Sequence, residues 1–96
     1  MDVLGANNVD IFSQTMQQSS ELESLANEAI KSGIDKYVSK NYEGAASEFN
    51  RAIGMAPSSP YAVDAAHYMA QAHLQLEDTG KAVDAYKRAI QLNPYR

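Results

Sequence analysis

Few side chains in this sequence could do chemistry, and their spacing narrows what that chemistry could be. His67 and His73 stand six residues apart in a stretch of helical periodicity. At 3.6 residues per turn that separates them by about 240° round the axis, so the two imidazoles cannot share a metal ion. Asp64 and His67, at i and i+3, make one two-ligand face, short of the ligand set a zinc site needs. There is no cysteine, which removes thiolate nucleophiles, disulfides and thiolate-ligated metals. Glu77 and Asp78 are adjacent at a break between periodic segments and read as turn and capping groups, not as an acid and base facing each other across a cleft. The six tyrosines lack the interleaved basic residues of a base-stacking surface and are expected to serve in helix packing or in a groove. No catalytic residue, metal or cofactor is expected.

Charge and hydropathy exclude further classes. The net charge is −4, and the eight Lys and Arg are dispersed among acids, so the positive face that holds a phosphate backbone is missing and nucleic acid is not an expected partner. No apolar run approaches membrane-spanning length. The amino end, MDVLGANNVD, carries an acid where a secretory signal needs a base. These features lead to the expectation of a soluble, cytoplasmic protein without a membrane partner. A hydrophobic content of 45% is enough for a small core.

The elements that position these residues are set by an internal repeat. NYEGAASEFNRAIGMAP, from Asn41 to Pro57, returns as DTGKAVDAYKRAIQLNP, from Asp78 to Pro94, thirty-seven residues later. Ala45 matches Ala82, Arg51 matches Arg88, Ala52 matches Ala89, Ile53 matches Ile90 and Pro57 matches Pro94, while Phe49 answers Tyr86. Self-similarity at such a period marks stacked helical hairpins. Apolar residues from Leu22 to Val38 recur at three and four residues, predicting a helix over about 21–39, with Ser20 and Glu23 as a capping box. Asn41 is expected to cap a second helix over about 42–55, ended by Pro57. Ser59 and Pro60 open a third, to about Leu76, and Asp78 caps a fourth over about 79–92. Residues 1–19 read either as a tail or as a short amphipathic helix near 10–18, on which Val9, Phe12 and Met16 share a face. The organisation is therefore residues 1–19, a first repeat over 20–57 and a second over 58–96.

The small residue, aromatic, alanine and proline of each copy resemble the second helix of a tetratricopeptide repeat. The likeness covers residues 26–57 and 63–94. Gly33 and Ala70 stand where that family needs a small residue for close helix contact. Departures are Ala29 and Ser32, with Ala66 and Met69 in the second copy, in place of the expected tryptophan and leucine, and Lys36 and His73 at a usually aromatic position. The resemblance implies an all-α fold of helical hairpins forming a short right-handed solenoid. It also implies a non-enzymatic module that binds a protein or peptide partner in a concave groove. Carried over, the groove is lined by Asn27, Ile30, Lys31, Ile34, Tyr37 and Val38 from the first repeat. The second repeat contributes Asp64, His67, Tyr68, Gln71, Leu74 and Gln75. Ile30 and Ile34 replace the polar residues with which chaperone-binding members clamp a terminal carboxylate, so an apolar anchor is the expected ligand. An alternative occupant for Ile30, Ile34 and Tyr37 is the segment preceding Ser20.

Val83, Tyr86 and Ile90 form an apolar row on the last helix with nothing in the sequence to cover it. The expectation is either that the array continues past Arg96, or that this row is a self-association face, with a homo-oligomeric scaffold or the regulatory domain of a larger enzyme as alternative roles.

Overall fold

The computed structural model describes residues 2–92, with side chains described from Ser20 onward. Four helices follow one another: α1 (Asp2–Val38), α2 (Tyr42–Met55), α3 (Pro60–Gln75) and α4 (Thr79–Leu92). No strand occurs among the described residues. Each helix packs on the next, and α1 also reaches α3. Such nearest-neighbour packing is the pattern of a repeat array.

One element departs from expectation. The helix expected to open at Ser20 instead begins at Asp2, so Ser20 lies inside α1 and the 1–19 segment is neither a tail nor a separate helix. A capping box defines a start only where the chain leaves helical geometry, and residues 13–19 contain no Gly or Pro to force an exit. Gly5, Asn7 and Asn8 lower helix propensity by about 1 kcal/mol each at most, which does not forbid a helix. With 37 residues α1 is about 55 Å long, whereas the 14-residue α2 spans about 21 Å and can pair with only part of it. The continuity of α1 also removes the segment before Ser20 as an occupant of the groove, because a continuous helix cannot fold back over its own face.

The two hairpin turns are copies of each other. At the end of α1 the amide of Asn41 donates to the carbonyl of Lys36 (2.8 Å) and that of Lys40 to Tyr37 (3.0 Å). At the end of α3 the amide of Asp78 donates to His73 (2.9 Å) and that of Glu77 to Leu74 (3.0 Å). Both are Schellman closures. The next residue then caps the following helix: Asn41 Oδ1 accepts from the Gly44 amide, and Asp78 Oδ1 from the Lys81 amide, each at 3.1 Å. The closures hold Lys40 and Glu77 at φ of 67° and 59°, in the left-handed region that glycine occupies without strain. Lys40→Gly and Glu77→Gly are each expected to raise stability by about 1 kcal/mol, read as a higher urea midpoint at unchanged m-value.

The turn between α2 and α3 differs. Ser59 takes the extended cap conformation, but its hydroxyl does not cap α3. It turns back and donates to the Ala56 carbonyl at 2.8 Å, in a buried position, tying the end of α2 to the start of α3.

Phe49 and Ile53 on α2 are the largest fully buried side chains, and alanine fills most of the remaining core. Gly33 makes this possible: a Cβ there would stand 2.6 Å from Phe49 Cε1. Glu48 crosslinks the first hairpin, accepting from Arg51 at 2.8 Å and pairing with Lys36 of α1 at 3.7 Å. The hydrogen bond from Arg51 holds the Glu48 carboxyl below the usual carboxylate range, against partial desolvation, with the Arg51 and Lys36 charges and the Ser32 hydroxyl assisting. A depressed folded pKa adds stability that is present above the unfolded carboxylate pKa and lost as pH falls through the folded one. Glu48→Gln is therefore expected to lower stability at neutral pH by less than about 1 kcal/mol. Denaturation titrations should show the gap between the two proteins closing as the carboxylate range is crossed on acidification.

Candidate functional site

The concave side of the first hairpin is shaped by what Gly33 omits. With no side chain at that position, the Phe49 ring of α2 reaches the face of α1 and becomes the floor of a depression. Ile34 and Tyr37 from α1 and Tyr68 and Gln71 from α3 complete it, enclosing about 250 Å³. Ring contacts fix the walls. Tyr68 lies over Phe49 with centroids 5.4 Å apart and planes tilted by 33°, and Tyr37 meets Tyr42 of α2 edge to face at 5.1 Å. Both geometries are favourable aromatic arrangements that restrain the rings. Ile34 remains 38% exposed and Tyr68 37% exposed, so an incoming side chain can reach them.

Other residues expected in the groove are distributed less evenly. Ile30 is buried in the core and does not line the depression. It was assigned to the groove by its register on the helix, but α2 and α3 close over that register one turn before Ile34. Asn27 is partly exposed, and Lys31, Val38, Asp64, His67, Leu74 and Gln75 are exposed round the depression without lining it. His67 stands edge-on to Tyr86 of α4, centroids 5.9 Å apart, which joins the groove side of α3 to the next helix. Phe49, which the sequence marks only as the counterpart of Tyr86, is a lining residue absent from the expected groove set. The pairing of Gly33 with Ile34 and Tyr37, at i, i+1 and i+4, is the signal that a ring from the neighbouring helix would surface there.

A larger depression, of about 570 Å³, is lined by α2, α3 and α4 through Glu43, Asn50, His73, Asp78 and Lys81 among others. Its lining mixes both charge signs and it is wide and open, whereas a binding pocket is mainly apolar with a few placed polar groups, as in the smaller one. His73 Nδ1 is buried there without a hydrogen-bond partner. The repeat explains why: His73 corresponds to Lys36, whose partner Glu48 has Ala85 as its counterpart. Among the described residues no three His, Cys, Asp or Glu side chains gather as a metal-ligand set, and no helix is long and apolar enough to cross a membrane.

Two hairpins with the same turn chemistry, stacked so that each helix packs on the next, define a helical-repeat protein. Residues 63–96 match the family model described as tetratricopeptide repeat. Residues 63–96 thus carry a tetratricopeptide repeat, and the first hairpin resembles that repeat in sequence at a spacing of thirty-seven residues. No curated protein and no solved structure matched the chain. Tetratricopeptide repeats are in general protein-interaction modules.

Proposed function

We propose that this chain is a non-enzymatic binding module that takes a protein segment across the face of α1 and α3 and anchors it by one large apolar side chain. The observation that carries this reading is the depression over Phe49, walled by Ile34, Tyr37, Tyr68 and Gln71. Its volume of about 250 Å³ is below the range that holds a whole drug-sized ligand and suits a single inserted side chain. Gln71 at the rim supplies an amide that can donate to and accept from a peptide backbone, which fixes orientation while the apolar contact supplies affinity.

The test is selection from a displayed random peptide library on the immobilised 96-residue chain. Enriched peptides should share a large aliphatic or aromatic residue and lose binding at least tenfold on Ile34→Asp or Tyr37→Ala. Failure to enrich any sequence, or peptides that bind both variants as well as the unaltered chain, would overturn the reading.

A further inference from the structure

The thirty-seven-residue repeat allows each side chain to be set beside its own counterpart, and one ion cluster fails to recur. In the first hairpin Glu48 of α2 ties two cations together: one carboxylate oxygen accepts from Arg51 at 2.8 Å and the other stands 3.7 Å from the Lys36 ammonium. In the second hairpin Arg88 keeps the place of Arg51 and His73 holds a nitrogen base at the place of Lys36, while Ala85 replaces Glu48. Lys81 adds a cation where the first copy has Gly44. The donors are retained and the acceptor is gone. A depression of about 190 Å³ lies over Ala85, bounded by Met69 and His73 of α3 and by Lys81, Asp84 and Arg88 of α4.

His73 registers the missing acceptor. Its Nδ1 is buried with no hydrogen-bond partner, and its Nε2 is not buried. A neutral imidazole carries its proton on one nitrogen only, and at Nδ1 that proton would be a buried donor without an acceptor. The proton therefore belongs on Nε2, which leaves the ring a donor to offer outside the core. The acids nearby do not answer it. Asp84 is exposed, stands about 100° round α4 from Ala85, and forms no ion pair with Lys81 or Arg88. Asp78 caps α4 and lies 3.9 Å from the Lys81 ammonium, and Glu43 is exposed across the adjoining depression.

We propose that this slot binds the carboxylate of an aspartate or glutamate on a polypeptide partner, set where the first hairpin sets Glu48, with Arg88 and His73 donating to it and Lys81 adding charge. The slot is shallow: Lys81, Asp84 and Arg88 are exposed, and its volume is below the range that encloses a small-molecule ligand. A carboxylate held there needs further contacts through the chain that carries it, as Glu48 has through α2. The exposed row of Val83, Tyr86 and Ile90 lies about 180° round α4 from Lys81 and Arg88, so a helix covering that row would leave the slot open. The slot shares no residue with the groove over Phe49 and stands whether or not that groove takes a peptide.

The experiment has two arms on the full 96-residue chain. In the first, sodium propionate, the glutamate side chain without its backbone, is titrated into isotope-labelled protein and compared with sodium chloride at equal ionic strength and pH. The His73 ring and Arg88 guanidinium resonances should shift saturably with propionate and not with chloride. Ala85→Glu, which restores the internal acid, should abolish the shifts. Arg88→Gln, at an exposed position, should keep its helicity and weaken binding about fivefold or more. An equal response to chloride, or propionate binding that Arg88→Gln leaves unchanged, overturns the proposal. In the second arm, peptides are selected from a library with one position fixed as glutamate, on the Ile34→Asp chain so that the groove over Phe49 takes no part. Enriched peptides should bind at least about tenfold more tightly than propionate and lose about tenfold when the fixed glutamate is replaced by glutamine. Failure to enrich while propionate still binds makes the ligand a free acid and overturns the assignment to a polypeptide.

Discussion

Phe49→Ala is expected to cost about 3–5 kcal/mol, the range for removing a large aromatic side chain from a packed core. A small domain has a total stability of about 5–15 kcal/mol, so the loss should be visible as early unfolding in a urea titration followed by far-UV circular dichroism. Several contacts go together. Phe49 is 1% exposed, underlies Tyr68 at 5.4 Å and fills the gap left by Gly33, so the cavity would adjoin all three of α1, α2 and α3. The same position in the second repeat provides the control. Tyr86 is 37% exposed, and Tyr86→Ala at low protein concentration is expected to cost only about 1 kcal/mol. Equal losses at the two positions would contradict the packing described here.

Gly33→Ala is the second large effect, and its sign runs against helix propensity. Inside a helix alanine is favoured over glycine by about 1 kcal/mol. Here the added Cβ would lie 2.6, 2.8 and 2.9 Å from three carbons of the Phe49 ring. The ring cannot swing away, being enclosed and backed by Tyr68, and overpacking of this kind costs about 1–3 kcal/mol. The net expectation is a destabilisation of up to about 2 kcal/mol. Gly54, with nothing within 4 Å of its would-be Cβ, should instead gain about 1 kcal/mol as Gly54→Ala. A double-mutant cycle closes the argument: in the Phe49→Ala background the penalty at Gly33 should vanish or reverse, and a penalty that persists would place its cause elsewhere.

The repeat made most of the fold legible. Asn41 and Asp78 announce themselves as caps because each follows a periodic segment and precedes another, and the structure gives both the expected hydrogen bonds. The bounds of α2 and α4 followed from the same pattern. The start of α1 did not, since Ser20 and Glu23 satisfy a capping pattern that carries no information about whether the chain before them is also helical. Ser59 stands at the N-cap of α3 as its residue type permits, but its hydroxyl donates to the Ala56 carbonyl and accepts from no α3 amide, which residue type alone does not reveal. In the groove, register alone placed Ile30 beside Ile34. Only the packing of neighbouring helices separates a core residue from a surface one at that spacing, and only the three-dimensional path of α2 brings Phe49 to the floor.

The central claim is that the depression over Phe49 is where a partner segment binds. The most direct measurement is an amide and methyl NMR titration of the 96-residue chain with a library-selected peptide. The largest shifts should fall on Ile34, Tyr37, Phe49, Tyr68 and Gln71 and should saturate together at one dissociation constant. Saturating shifts concentrated instead on Val83, Tyr86 and Ile90, or around Glu43, Asn50 and Lys81, would contradict it.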